Sequence, residues 1–191
     1  MPIIQRFPLA AACALALSGC AALSGADHSV QSKPYVSVVN SLSWTNPMTG
    51  KLDGVRTAWP GATLRRHVEP FPLAQIKQCD EAGAACAWGV MNAGRTLTKL
   101  GDLPNGVTFE LEVSVDIARQ QEIHRPDFNG SMKIPSDVAA LQAHRVVKQV
   151  IGLEYGKVQR IAFEHGVTYA VCAARHDAAR QALDVCDIPF F

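Results

Sequence analysis

Hydrophobic and polar residues alternate one for one along several stretches of this chain. The clearest is Phe109 to Ile117. Phe109, Leu111, Val113, Val115 and Ile117 fall on one side, and Glu110, Glu112, Ser114 and Asp116 fall on the other. A period of two kept this long belongs to a half-buried strand, because a helix would scatter the same residues around its circumference. Asn105-Gly106 just before it is tight-turn chemistry and predicts a partner strand around 92–100. Val36, Val38, Leu42 and Trp44 mark a strand over 35–44, followed by the turn residues Asn46-Pro47-Met48-Thr49-Gly50. Near the C terminus, 157–163 and 167–174 read as two strands parted by Glu164-His165-Gly166, with Val167, Tyr169, Val171 and Ala173 sharing a face.

Other stretches carry a mixed signal. Residues 71–87 combine a proline, an alanine-rich run and two cysteines, and read as a stapled loop with one helical turn. In 136–152, Ala140, Ala143, Val147, Val150 and Ile151 fall at helical spacing, Ser136 suits an N-cap and Gly152 a C-terminal stop. The pairs Val146-Val147 and Val150-Ile151 also suit a strand, but the spacing and caps favour a helix. Residues 55–70 give no consistent period, and Trp59-Pro60-Gly61 interrupts them. The expected fold class is therefore mainly β, sandwich-like, with about one helix; α+β is the alternative. Gly166-Val167-Thr168-Tyr169-Ala170-Val171-Cys172-Ala173 is similar to the start of a strand in fibronectin-type sandwiches, where a corner tyrosine follows a glycine. That resemblance implies a Tyr169 hydroxyl bonded back to the chain.

The chain has 191 residues, 48% of them hydrophobic, with 18 Lys+Arg against 17 Asp+Glu. This suits one domain with a real core and excludes disorder over most of the length. So even a balance of charge offers none of the basic excess that nucleic acid demands, and no nucleic-acid partner is expected.

The first twenty residues stand apart. One positive side chain, Arg6, precedes an apolar run from Phe7 to Leu17, too short to span a bilayer as a permanent helix. Small residues follow. This order is that of an export signal. Leu17-Ser18-Gly19-Cys20 resembles the lipobox of bacterial lipoproteins. The resemblance implies cleavage between Gly19 and Cys20, diacylglyceryl transfer to the Cys20 sulfur and acylation of the new amine. Cys13 is the rival site, but Ala10 stands where the motif prefers Leu. Each buried CH₂ adds about 0.8 kcal/mol to membrane attachment, so three acyl chains hold without help from a basic patch. Removal of residues 1–19 takes only Arg6 among the charged residues, leaving 17 basic against 17 acidic side chains. Ala21 rather than Asp, by resemblance to Gram-negative sorting patterns, points to the outer membrane. The expected organisation is a signal over 1–19, a lipidated Ala/Ser/Gly-rich tether over 20–33 with a reach of roughly 20 Å, and one globular domain over 34–191.

Four cysteines remain beyond the signal: Cys79, Cys86, Cys172 and Cys186. An even number in an exported chain implies two disulfides. Of three pairings the local one is favoured, Cys79–Cys86 and Cys172–Cys186. These loops would stabilise by roughly 2.5 and 3 kcal/mol in the chain-entropy account. No Cys-x-x-Cys and no histidine at zinc spacing accompanies them, so no metal or other cofactor is expected.

Catalytic motifs are absent. There is no Gly-x-Ser-x-Gly and no His-Glu-x-x-His. Gly152 to Val158 has the outline of a phosphate loop but is one residue short and lacks a hydroxyl after Lys157, so a strand-to-strand turn is the simpler reading. His124-Arg125-Pro126-Asp127 gathers three chemistries at a turn, most simply a surface ion pair. The acidic face of 109–117 is most simply solvated, opposite Lys or Arg on a neighbouring strand. Trp44, Trp59 and Trp88 suit core packing or a partner face. The expected function is that of a lipid-anchored, non-enzymatic interaction or scaffold module of the cell envelope, with the membrane and an envelope protein as partners. Two alternatives are a hydrolase using His124 and Asp127, and a cation or small-ligand binder using the acidic strand.

Overall fold

The alternating stretches pair into two antiparallel sheets packed face to face. The computed structural model describes residues 34–60, 65–125 and 128–191, so the signal, the tether and Cys20 lie outside the described residues. The first sheet has the order β11 (Gln159–Ala162), β12 (Thr168–His176), β1 (Tyr35–Thr45), β2 (Leu52–Pro60). The second has the order β10 (Ala143–Glu154), β6 (Gly106–Ala118), β5 (Cys86–Leu103), β3 (Arg66–Pro70). Strand β4 (Ala74–Cys79) continues along β5 beyond β3, and β9 (Ala139–Ala140) pairs with β5 in parallel. Strands β7 (Gln120–Arg125) and β8 (Phe128–Lys133) form a separate two-stranded ribbon. The fold is mainly β and sandwich-like. Among the described residues the helical element is one 3₁₀ turn, Glu164–Gly166, between β11 and β12.

Inner faces of both sheets meet in one cluster. Val38, Leu42, Trp44 and Trp59 come from the first sheet, and Met91, Leu97, Leu111, Val113 and Leu153 from the second. Leu42, Leu97, Leu111 and Leu153 lose all contact with solvent, and each such burial contributes roughly 1.5–3 kcal/mol. Strand β6 alternates as its sequence demands. Its acidic side faces outward, where Lys148 of β10 lies 3.4 Å from Glu110 and 3.6 Å from Glu112, and His144 lies 3.5 Å from Asp116. Exposed pairs of this kind lower like-charge repulsion but stabilise little.

Two segments depart from the sequence expectation. The helix expected over 136–152 is strand β10, paired antiparallel with β6 from Ala143↔Ile117 to Glu154↔Gly106. Ala143, Val147 and Ile151 are four apart, and four is both one helical turn and two strand periods, so their spacing fits either element. Pairing with β6 decides it, and Val147 and Ile151 then turn inward together. The loop expected over 71–87 contains β4, whose last pair, Cys79↔Cys86, is also disulfide-bonded. Phe71, between β3 and β4, donates its N–H to Ala93 and is buried. The chain thereby stays on one edge of β5 from Arg66 to Cys79.

One polar group lies deep between the sheets. Arg95, on the inner face of β5, is 2% exposed. Its Nε donates to Asn40 Oδ1 of β1 at 2.7 Å, and its Nη2 donates to Glu69 of β3. Asn40 Nδ2 donates to Thr57 Oγ1 of β2 at 2.9 Å, and Thr57 Oγ1 donates to Glu69 at 3.1 Å. One guanidinium thus connects three further strands across both sheets. His67 flanks it, stacked on Trp59 with ring centroids 4.9 Å apart. Burial, then the Arg95 charge, pushes the His67 imidazole below its usual range. The Tyr169 hydroxyl is buried near this group and has no hydrogen-bond partner among the described residues, and burial raises its ionisation well above that of an ordinary phenol. The back-bonded hydroxyl of a tyrosine corner is therefore not what Tyr169 makes.

A buried charge that loses its partner is costlier than a pair removed whole. Glu69→Ala is expected to lower stability by about 3 kcal/mol, at the low end of the range because Glu69 keeps 26% of its side chain exposed. Arg95→Met combined with Glu69→Gln is expected to cost less than Glu69→Ala alone. Urea unfolding followed by tryptophan fluorescence checks both.

Candidate functional site

On the outer face of the first sheet the side chains are small, yet Ser37, Ser41, Ala170 and Ala174 are all buried. Their cover is the C-terminal segment 177–191. After β12 the chain turns at Asp177, whose carboxylate accepts the Gln181 N–H at 2.8 Å. It then runs back beside the strand it has left, with Ala182 bridged to His176 and the Leu183 N–H donated to the Arg175 carbonyl. Arg175 holds Asp184 through Nε and Nη2, both at 2.8 Å. These bonds pull the Asp184 carboxyl down to about 2 and raise Arg175 above its usual range. Cys186 is bonded to Cys172 of β12. Ile188 packs on Val39, Ala170 and Cys172.

Past that anchor the strap crosses toward β2. Arg56 lies over the Phe190 ring, 4.0 Å from its centroid. The Phe191 ring stands 2.9 Å from where a side chain on Gly54 would begin, so the glycine makes room for the terminal ring.

Between strap and sheet lies a pocket of about 480 Å³. Val39, Ala58 and Ala174 form its floor, and Val185, Cys186 and Phe190 its outer wall. Its size and mainly apolar lining with few polar groups are those of small-molecule sites. The polar groups are Arg56, Asp184, Ser37, His176 and the phenol of Tyr35. Ser37 Oγ and His176 Nε2 are 2.8 Å apart, and His176 Nδ1 is 3.4 Å from the Arg180 carbonyl oxygen. Because a carbonyl only accepts, Nδ1 is the donor in that contact, and in this tautomer Nε2 accepts from the Ser37 hydroxyl. Tyr35 stacks on the same imidazole, with centroids 4.6 Å apart.

Residues singled out in the sequence are dispersed. Cys20 and Gly19 lie outside the described residues, as do Pro126 and Asp127. His124 sits on the β7–β8 ribbon with 73% of its side chain exposed, 3.2 Å from Asn129 and 3.4 Å from Glu122. Cys79–Cys86 closes the tip of the β4–β5 hairpin and Cys172–Cys186 pins the strap. Trp44 and Trp59 are core residues, while Trp88 is half-buried with Lys77 over its ring. Among the described residues no group of three or more His, Cys, Asp or Glu is placed to hold a metal ion. Ser37, Arg56 and Phe190 were not indicated by any motif. Among the pocket residues the sequence marks Cys186, through its expected disulfide, while His176 is one histidine among six.

No protein-family model, curated protein or solved structure matches this chain. Two disulfides indicate an extracytoplasmic compartment. Among the described residues no helix is long and apolar enough to cross a membrane.

Replacing Cys172 and Cys186 together by serine is expected to cost about 3 kcal/mol. It should raise amide exchange in 177–191 before any change in β5 or β6, as followed by hydrogen-exchange mass spectrometry. Acid should act at the same place. The folded Asp184 carboxyl lies below the ordinary value near 3.9, so the stabilisation by Arg175 is complete above that value and fades as pH falls toward about 2. Asp184→Asn should remove that acid dependence of strap exchange.

Proposed function

We propose that this protein is a lipid-anchored component of a bacterial envelope, held at the outer membrane through Cys20, and that its sandwich serves as a non-enzymatic interaction module. The observation that carries the reading is an export-type leader ending in Leu17-Ser18-Gly19-Cys20, joined to a domain cross-linked twice by disulfides. Lipid at the start of a tether confines the domain to one surface and raises its effective concentration toward neighbours there. An edge strand supports the module reading. Strand β10 is long and outermost in its sheet, with Val146 49% and Val150 64% exposed. Edge backbone beside exposed β-branched residues suits pairing with a strand of another protein.

Hydrolysis is the second reading, favoured by the Ser37–His176 pair. Its weakness is electrostatic. Ser37 lies in β1, paired on both sides by β12 and β2. Backbone N–H groups near Ser37 are thus committed to ladders and do not converge on a developing oxyanion, the largest single contribution in acyl transfer.

Cys20→Ser is expected to abolish metabolic palmitate labelling and to move the protein from the sedimenting to the soluble fraction. Unchanged labelling and sedimentation would end the anchoring proposal. Val146→Glu with Val150→Glu should remove specific cross-links made by the anchored protein in intact envelopes, while its circular dichroism stays unchanged. Turnover of a model ester that depends on Ser37 would favour the hydrolase instead.

A further inference from the structure

The strap pocket carries a charge that no described residue neutralises. Arg56 forms no ion pair among the described residues, and its Nε is buried without a hydrogen-bond partner. The carboxylate that lines the same pocket, Asp184, is engaged by Arg175 through two side-chain bonds and by the Arg175 backbone N–H at 2.9 Å. Phe190 covers one face of the Arg56 guanidinium. This contact strengthens as water is excluded but supplies no acceptor for an N–H group. An unpaired guanidinium donor at the mouth of an apolar cavity is ordinarily costly.

A carboxylate presents two acceptor oxygens to a guanidinium in matching geometry. An apolar chain attached to it would lie along Val39, Ala58 and Ala174 beneath Val185 and Phe190. At the opposite end of the floor, Ser37 and His176 are already bonded to each other, so Arg56 is the cation left to meet an acidic head. Small residues along β1, β2 and β12 keep this floor open, where larger ones would fill the space beneath the strap.

We propose that the pocket between the C-terminal strap and the outer face of the first sheet binds a single-chain anionic amphiphile. Its acidic head meets Arg56 and its apolar chain lies under Phe190. The inference goes beyond the interaction module and does not depend on acylation of Cys20. It can be read on the full chain carrying Cys20→Ser, so that no acyl group of the protein's own competes.

The test is calorimetric titration of that protein with dodecanoate, dodecyl phosphate and dodecanol, each below its aggregation limit. Dodecanoate should bind one to one, and dodecanol roughly tenfold or more weakly, the difference of one charge-assisted contact. Arg56→Gln should erase the preference for the charged head, so that dodecanoate and dodecanol bind with similar affinity. Ala58→Trp, at an exposed position on the floor, should block all three without lowering the unfolding midpoint. Tighter binding of dodecyl phosphate than of dodecanoate would support the site and assign its head to a phosphate source such as a lysophospholipid. Failure of all three to bind, an anion preference that survives Arg56→Gln, or binding untouched by Ala58→Trp would each overturn the proposal.

Discussion

A single buried guanidinium sets how the two sheets of this protein meet. Arg95 occupies an inner position that the neighbouring Ala93 and Leu97 fill with apolar atoms. Desolvating a charge there is tolerable only if its partners are in place. Asn40 and Glu69 are those partners, on different sheets, and Thr57 ties the two together. An apolar contact would accept the sheets in many relative positions. A hydrogen-bonded charge accepts very few, so the interior trades some stability for a defined alignment. Within the first sheet, the antiparallel pairing of Asn40 with Thr57 turns Thr57 inward and leaves Arg56 and Ala58 on the outer face.

The outer face shows a second solution to the burial problem. A four-stranded sheet with small side chains on one side would expose backbone and apolar surface. Here its own C-terminal segment covers it, held by the Arg175–Asp184 bonds, the Cys172–Cys186 bridge and Ile188. A covalent tether lets such a segment stay docked while its packing remains incomplete. Incomplete packing is what leaves the pocket. Stability of the cover and space beneath it thus have separate physical origins, which is the arrangement a ligand-binding face needs.

Much of the fold was legible because its strands are one-sided. Strand β6 alternates from Val107 to Ala118, and the Asn105-Gly106 turn ties it to β5. Strand β10 was misjudged because residues four apart share a face in both helix and strand, and its outer positions Val146 and Val150 stay apolar in solvent. Strand β4 was hidden by its short length and by cysteines that suggested a loop. The pocket was not legible at all. In β12 every residue from Tyr169 to Ala174 is buried, so alternation gives no sign that two different faces are being covered.

The sequence alone determined the β class and the positions of its main turns, and it favoured the local pairing of the four cysteines, since each follows from residues near one another along the chain. It also carried the export-type leader and lipobox-like residues, which need no fold to be read. Only the tertiary structure decided that Arg95 lies inside, that 177–191 folds over the first sheet, and that Arg56 faces an apolar cavity with no ion-pair partner among the described residues. Those outcomes depend on contacts between residues far apart in the chain, and the pattern of polar and apolar positions within a single strand does not encode which distant segment will cover it.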